Sequence, residues 1–239
     1  MRRYPIACIL TEPVLQNIGV VPPQPGYLKG LRELCDRYGV VLVFDEVKTG
    51  FRSALGGYQS IAGVTPDLSV FGKALANGYP IGVIGGKAKI MDLFDDPDPV
   101  KRVLLAGTYN AHPFTTAAAI ATIERLQRNN GEVYLYLEKL GCRLQSGLEA
   151  AFKEKSIPAT LSRIGSAFCV YFGDHIPVDL HDIYASHNFD LDKRYRRAMI
   201  ENGIYHFPLP AKQSSISAAH TEQDIDKTLE ITRKVLTTL

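Results

Sequence analysis

Two short apolar runs that each end at a charged residue constrain the fold of this chain more than any other feature. Residues 40–44 are β-branched or large and apolar, and Asp45 follows them directly. Residues 68–71 form a second, mostly apolar run, which one glycine separates from Lys73. The first run is typical of a strand that is covered on both faces. Because an α/β sheet presents its chemistry at the carboxyl ends of its strands, we expect Asp45 and Lys73 to share one crevice.

The segments before these runs predict a parallel strand order. Residues 6–10 form another apolar run and predict a buried strand. Residues 25–38 carry apolar side chains at helical spacing, and Gly39 follows as a helix stop. A strand–helix–strand order with short links implies a right-handed parallel crossover. The sequence therefore predicts an α/β fold with a mostly parallel sheet flanked by helices.

The remaining pattern predicts two domains. In the first part of the chain, further elements are predicted as a strand at residues 81–84, a helix at 88–94, a buried helix at 114–127 and a helix at 132–155. After Pro158 the predicted elements are a strand at 166–172, a helix at 194–202, a strand at 215–219 and a final helix that a capping box opens at Thr221. We therefore assign residues 1–155 to a large α/β domain and residues 156–239 to a small C-terminal α+β domain.

The composition disfavours several classes of protein. A net charge of +2 without a basic, aromatic-rich stripe gives no reason to expect nucleic acid. No apolar run approaches the ~20 residues that span a bilayer, and the amino terminus does not resemble a signal peptide. The four cysteines show no C-x-x-C spacing, which predicts reduced thiols in the cytoplasm. The six histidines lack metal-ligand spacing, so we expect no metal.

The charged residues at the strand ends suit pyridoxal 5'-phosphate (PLP) chemistry. A carboxylate such as Asp45 at the edge of a core needs a cationic partner, which the pyridinium nitrogen of PLP would supply. Lys73, between an apolar strand and a glycine-containing turn, can form a Schiff base. Val47 would then lie near the ring face. Thr108 precedes a helix that starts near Pro113, and hydroxyls and N–H groups at a helix start suit phosphate.

The motifs around these residues resemble those of the class III (ornithine-type) PLP-dependent aminotransferase family. The similar segments are residues 11–13, 41–52, 65–68, 72–80, 107–108 with 113, and 217–221. The resemblance implies a PLP-dependent transferase of fold type I with a small C-terminal domain. It makes Lys73 the Schiff-base lysine and proton shuttle and Asp45 the partner of the pyridine nitrogen, with Val47 packed on the ring. Thr108 would bind the cofactor phosphate of the other subunit of a homodimer.

By this resemblance, the chain transfers an amino group from a small-molecule donor to a carbonyl acceptor through a pyridoxamine form of the cofactor. Within the family it is most similar to the branch containing glutamate-1-semialdehyde 2,1-aminomutase, so intramolecular amino migration stays an alternative. Lys212 aligns where that branch tends to have a carboxylate, and a cation there suits a substrate carboxylate. Glu12 and Asn17 follow the first strand and are further candidates for hydrogen bonds to a ligand. Glu46 is expected to be a structural acid.

Two further alternatives remain open. The chain resembles only the C-terminal portion of the family, and a non-catalytic fragment is therefore a third hypothesis. A half-sheet of this kind is expected to expose a large apolar edge. A dinucleotide-binding protein is disfavoured, because no G-x-G-x-x-G follows a strand.

Overall fold

The computed structural model describes residues 4–239, which form two compact units. The first unit contains the described residues up to Pro13 together with Pro25–Asn130, and the second contains Val14–Gln24 and Gly131–Leu239. The expectation about a signal peptide falls in part on residues 1–3, outside the described residues. Within residues 4–239 no helix is long and apolar enough to cross a bilayer.

The first unit is built on a four-stranded sheet with the order β1-β2-β3-β4. Its elements in chain order are β1 (Cys8–Thr11), α1 (Tyr27–Tyr38), β2 (Val41–Asp45), α2 (Gly57–Ala62), β3 (Leu68–Gly72), β4 (Gly82–Gly86), α3 (Ala88–Met91) and α4 (Pro113–Gln127). β1, β2 and β3 are parallel, and β4 pairs antiparallel with β3. The predicted parallel crossover through α1 is confirmed, and Gly39 ends α1 in the left-handed conformation at φ 64°.

Only one face of this sheet is well packed. Leu42 and Phe44 of β2 lie in a core cluster with Leu28 and Cys35 of α1. Side chains alternate between the two faces along a strand, and the residues in between are partly or largely exposed. Leu10 of β1, for example, is 63% exposed. The prediction of strands buried on both faces is therefore wrong for this sheet, because the side chains on its second face are partly or largely exposed.

Helix α4 also differs from its prediction. Pro113 occupies the first turn, as expected, because proline lacks the N–H that a helix start cannot pair. The helix was predicted to be buried, but within it only Ala119 is, in a small cluster with Leu75 and Ala76. Phe114 is 75% exposed. The Ala-rich composition of α4 favours a helix but does not specify which side of the helix is covered.

The second unit combines helices with a three-stranded antiparallel sheet in the order β5-β6-β7. Its elements are α5 (Glu132–Glu154), β5 (Thr160–Ile164), β6 (Ala167–Tyr171), α6 (Leu180–Ser186), α7 (Phe189–Glu201), β7 (Ser214–Ser215) and α8 (Glu222–Leu236). The capping box of α8 is confirmed, with both hydrogen bonds between Thr221 and Asp224 present. β5 and α6 were not predicted from the sequence, and β7 is shorter than expected.

The compact units do not coincide with the predicted domains. Helix α5 falls in the second unit because its apolar side packs along α8. The predicted boundary between residues 155 and 156 lies just after this helix. The boundary between the two compact units lies before it, between Asn130 and Gly131. The assignment of residues 1–155 and 156–239 to two domains thus stays a prediction.

Candidate functional site

Asp45 and Lys73 lie at the same edge of the sheet in the first unit. Asp45 is the last residue of β2 and stands beside Val70 of the parallel strand β3. The Glu46 N–H, which follows Asp45, donates a hydrogen bond to the Val70 carbonyl at 2.9 Å. This bond extends the parallel pairing of β2 with β3 to the end of β2. β3 ends at Gly72, and Lys73 follows directly. The structure therefore brings these two residues to neighbouring strand ends, where α/β sheets carry their sites.

The backbone of Lys73 is strained. Its φ of 44° is left-handed, although the residue carries a side chain. The preceding Gly72 is extended, so the chain turns sharply at Lys73 into a 3-10 helix, Lys73–Ala76. Backbone strain of this kind costs about 1–3 kcal/mol and is concentrated at functional sites. The Lys73 side chain is exposed, and none of the described residues pairs with its amine.

Asp45 is a half-buried carboxylate with unused hydrogen-bonding capacity. Its Oδ1 accepts a hydrogen bond from the Val47 N–H at 3.0 Å. Across residues 4–239, no lysine, arginine or histidine forms an ion pair with Asp45. One carboxylate oxygen is thus held by the backbone, and the group can still accept a hydrogen bond from a cationic ligand.

Val47 adjoins the turn that carries Lys73. A Cβ placed on Gly72 would lie 3.5 Å from Val47 Cγ1 and 3.1 Å from the Ile81 carbonyl oxygen. Val47 thus lies at van der Waals distance from the end of β3, and the tight approach at Gly72 is that of the Ile81 carbonyl. Asp45, Val47 and Lys73 form one cluster at the sheet edge.

A second acid, Glu46, holds the loop behind this cluster. Its side chain is fully buried and accepts hydrogen bonds from Thr49 Oγ1 at 2.6 Å and from the N–H groups of Tyr58 and Gln59, both at 2.8 Å. Since the two N–H donors belong to the first turn of α2, Glu46 satisfies groups that a helix start leaves unpaired. Glu46 therefore fixes the turn after β2 and with it the position of Asp45.

Thr108 belongs to the same unit as this cluster and precedes α4. It is exposed in a turn that the Asn110 N–H closes on the Gly107 carbonyl at 3.0 Å, ahead of α4. Among the described residues, no hydrogen bond or ion pair joins Thr108 to Asp45 or Lys73. Within one chain, Thr108 is thus not bonded to either of these two residues.

The other candidate residues are divided between the two units. Glu12 follows β1 in the first unit, and its carbonyl accepts a hydrogen bond from Thr11 Oγ1. Asn17 and Lys212 both belong to the second unit, where Lys212 Nζ lies 2.6 Å from the Asn17 carbonyl oxygen and 3.4 Å from its Oδ1. These two residues line a cavity of about 120 Å³. Lys212 and Asn17 are thus brought together as a pair.

A buried ionic network supports the segment that carries Lys212. Arg196 of α7 donates to Asp192 at 2.6 Å, and both side chains are buried. The same guanidinium donates to the carbonyls of Phe207 at 3.1 Å and Lys212 at 3.0 Å. The Ala211 N–H donates to Asp192 at 2.7 Å. This network was not predicted, because charges spaced i, i+4 on a helix are typical of a solvated face.

The tautomer of His187 completes this network. The Phe172 N–H donates to His187 Nδ1 at 3.1 Å, so Nδ1 is the acceptor and the proton resides on Nε2. His187 Nε2 then donates to Asp192 at 3.0 Å. Burial by itself raises the pKa of Asp192. The hydrogen bond from His187, the charge of Arg196 and the Ala211 N–H outweigh burial and lower that pKa.

Comparison with known proteins identifies the family. The pattern of the family described as Aminotransferase class-III matches residues 2–235. The chain is 41% identical over 231 residues to the glutamate-1-semialdehyde 2,1-aminomutase of Thermus thermophilus, a match that covers 97% of this chain and 53% of that protein. It is 39% identical over 225 residues to the glutamate-1-semialdehyde 2,1-aminomutase 2 of Brevibacillus brevis, covering 94% of this chain and 51% of that protein.

Solved structures agree with this assignment. The fold matches an omega-transaminase from Sphaerobacter thermophilus with a TM-score of 0.86 at 30% identity, covering 96% of this chain and 51% of that one. It matches a glutamate-1-semialdehyde aminomutase from Pseudomonas aeruginosa in complex with PMP with a TM-score of 0.85 at 26% identity, covering 97% and 52%. The predicted fold type I is confirmed, and the chain spans about half the length of these relatives. This chain belongs to the class III aminotransferase family.

Proposed function

We propose that this chain takes part in PLP-dependent amino-group transfer, with Lys73 and Asp45 as its catalytic residues. The observation that carries the proposal is the placement, at adjacent strand ends, of a strained lysine and a carboxylate that no cation among residues 4–239 pairs with. The names of its relatives, transaminases and aminomutases, support the same reaction class.

The residues present fit the cofactor. The exposed amine of Lys73 is available to attach PLP covalently, and the Asp45 carboxylate can accept a hydrogen bond from a protonated pyridine nitrogen. Val47, beside the turn at Gly72, can pack on the ring. When bound, PLP supplies an electron sink for charge that develops at the amino-bearing carbon. Lys73 Nζ would move the proton between the substrate carbon and the cofactor carbon, and the Asp45 carboxylate would hold the pyridine nitrogen protonated.

The proposal includes a homodimer in which Thr108 binds the phosphate of the partner's cofactor. It is supported by the exposed position of Thr108 ahead of α4 and by the absence, among the described residues, of a bond from Thr108 to its own Asp45 or Lys73. Groups before a helix start suit a phosphate. Because each chain would supply its Thr108 hydroxyl to the partner's site, each site would depend on the dimer.

The proposed substrates are a small-molecule amino donor and a carbonyl acceptor. Lys212, whose amine donates a hydrogen bond to the Asn17 carbonyl, is proposed to attract a substrate carboxylate. Glu12 is a further candidate for a polar contact with the substrate. The alternative is amino migration within one molecule, which the names of the curated relatives favour. Product analysis with a semialdehyde substrate and no added 2-oxo acid separates the two, because only migration proceeds without an acceptor.

We also propose a cytoplasmic location. Cys8, Cys35, Cys142 and Cys169 are all free thiols, and burial raises the pKa of Cys169 to about 12. Unpaired cysteines are typical of proteins in a reducing compartment.

The test is borohydride trapping of PLP on the purified chain, followed by peptide mass spectrometry. We expect one pyridoxyl adduct on the peptide that contains Lys73, its loss in Lys73→Ala, and its retention in Lys89→Ala, which removes an exposed lysine on α3. Adducts scattered over surface lysines, unchanged in Lys73→Ala, would overturn the proposed site. Turnover by the isolated chain would in addition exclude the non-catalytic alternative.

A further inference from the structure

The second unit contains a cavity of about 320 Å³ that includes none of the residues assigned to amino-group transfer. This volume lies at the lower end of the ~300–1,000 Å³ that is typical of small-molecule pockets. Four of the lining side chains are apolar and buried, Leu144, Phe168, Ile216 and Ile225. Both residues of β7 also line the cavity, and we call it the β7 cavity.

The lining of the β7 cavity carries no fixed charge. Among the described residues that line it there is no aspartate, glutamate, lysine or arginine. Its buried histidine, His206, is neutral near pH 7, because burial and the charge of Arg196 lower the pKa of the ring to about 4. An ion that entered the cavity would lose its hydration without gaining a counter-charge. The β7 cavity therefore favours an uncharged ligand.

His206 has one ring nitrogen that the protein leaves unpaired. Its Nδ1 lies 3.2 Å from Ser214 Oγ. None of residues 4–239 forms a hydrogen bond with its Nε2. Because the ring is neutral, Nε2 is a donor when Nδ1 accepts from Ser214 and an acceptor when Nδ1 donates to it. A ligand group with a donor and an acceptor on neighbouring atoms can pair with Nε2 in either tautomer.

The amide of Gln213 is a second incomplete hydrogen-bonding group in the lining. Its Nε2 donates to Ser215 Oγ at 2.7 Å, whereas its buried Oε1 has no partner among the described residues. If the amide were turned over, Oε1 would accept from Ser215 and the nitrogen would be unpaired instead. An unsatisfied buried polar group is unfavourable in either orientation. A ligand that paired with this amide would remove the penalty.

Two exposed aromatic side chains also line the cavity. Tyr205 and Phe207 flank His206 in sequence and are both exposed, although large aromatic side chains dominate the energetics of contact surfaces. A flat ring packs favourably on such side chains. The aromatic part of the lining therefore favours a ring as the apolar part of the ligand.

We propose that the β7 cavity binds an uncharged ring compound that bears a carboxamide or lactam group. The ring packs among Phe168, Tyr205 and Phe207. The amide of the ligand carries a donor and an acceptor on neighbouring atoms, which are available to His206 Nε2 and to Gln213. This binding is separate from amino-group transfer and is tested without PLP, so that its failure leaves the proposed reaction untouched.

The experiment titrates the 239-residue chain, labelled with ¹⁵N, with benzamide and follows the backbone amide signals by NMR. We expect saturable shifts confined to the segments 204–207 and 213–216 and a Kd on the order of 1 mM, as for other very small ligands. Benzoate and benzamidine have the shape of benzamide but carry opposite charges. Each should bind about tenfold more weakly or worse, because the cavity offers no counter-charge.

Two variants test whether the binding belongs to the β7 cavity. Ser215→Phe places a ring in the cavity and should abolish the shifts. Gln213→Leu keeps a side chain of similar size without the amide and should weaken benzamide about fivefold. Gln223→Leu is the matched control, since Gln223 is exposed on α8 and does not line the cavity. It should bind benzamide as the wild type does.

Three results would overturn the proposal. The first is the absence of saturable shifts up to the solubility limit of benzamide. The second is an equal affinity for benzamide and benzoate, which would exclude an uncharged ligand class. The third is unchanged binding in Gln213→Leu. The spectrum of each free variant reports its folding, and if Ser215→Phe does not fold, Gln213→Leu and the two charged analogues decide.

Discussion

Arg196 Nε lies 2.6 Å from Asp192 Oδ1, and these two side chains, one turn apart on α7, are both buried. Asp192 also accepts hydrogen bonds from His187 and from the Ala211 N–H. The pair thereby ties α7 to the segment that ends at Lys212. A buried pair of this kind adds little net stability relative to apolar residues of similar volume, but each partner needs the other as long as both are buried.

Removal of one partner should be strongly destabilising. We expect Arg196→Ala to lower the free energy of unfolding by about 3–5 kcal/mol, because Asp192 is left buried without its cation. Urea denaturation followed by circular dichroism measures this difference. Arg197→Ala is the matched control, since Arg197 is exposed and pairs with Glu201 on the surface, where such pairs contribute about 0–1 kcal/mol. Equal losses in the two variants would contradict the assigned role.

Two features favour glycine at position 57, a positive φ and a close contact of its Cβ position. Only a positive φ favours glycine at position 63. Both residues have a positive φ, 73° at Gly57 and 62° at Gly63. A Cβ at Gly57 would lie 2.7 Å from the Glu46 carboxylate, whereas a Cβ at Gly63 meets no atom within 4 Å. We expect Gly63→Ala to cost about 1–2 kcal/mol from backbone strain alone. Gly57→Ala should cost a further ~1–3 kcal/mol for the clash with Glu46. Thermal unfolding of both variants tests this order, and a smaller loss for Gly57→Ala would refute it.

Asp67 makes stability depend on acidity. Burial raises its pKa, but the Leu42 N–H and the ion pairs with Lys87 and Arg32 outweigh burial and lower the pKa to about 2. An unfolded aspartate has a pKa of about 3.9. The unfolded chain therefore binds the proton more readily, and the stabilisation present above pH ~4 is lost as the pH falls towards ~2.

The measurement compares wild type with Asp67→Asn in urea at several pH values. We expect the wild type to be the more stable protein near neutral pH and the difference to shrink below pH ~4. Asp36→Asn, which removes an exposed partner of the same Arg32, serves as the control and should show a smaller difference. A difference between wild type and Asp67→Asn that is constant down to pH ~2 would contradict the prediction.

The left-handed backbone at Lys73 should lower the stability of the folded chain. Its φ of 44° suits glycine better than any residue with a Cβ. We therefore expect Lys73→Gly to be more stable than Lys73→Ala by about 1 kcal/mol, although both lack the amine. Denaturant titrations of the two variants decide the matter. If alanine were equally stable, the left-handed conformation would carry no strain.

The strand ends could be predicted from the sequence because their signals are local. A run of β-branched residues favours a strand, and an acid or a lysine directly after it must lie at the strand end. Residues 40–45 and 68–73 carried both signals, and β2 and β3 end where they indicate. The helix stop at Gly39 and the capping box at Thr221 are equally local. The roles of Lys73, Asp45, Val47 and Thr108 in binding PLP stay predictions.

Short elements with weak periodicity could not be predicted. Helix α2 has six residues and owes its start to Glu46, which lies more than ten positions earlier in the chain. The Asp192–Arg196 pair has the spacing of a surface pair and is buried only because segments far apart in sequence enclose it. In each case the decisive partner is distant along the chain.

The amino-acid sequence by itself determined where strands β2 and β3 and helix α1 end, where α8 begins, and which charged residues follow the two strands. The tertiary structure alone decided which apolar faces find a partner. It packs Phe44 against α1, leaves Leu10 exposed on the opposite face, and sets Asp45 beside the turn of Lys73. The physical reason is that hydrophobic burial is non-directional. A sequence indicates which faces are apolar, and only the folded structure shows which residues pack on them.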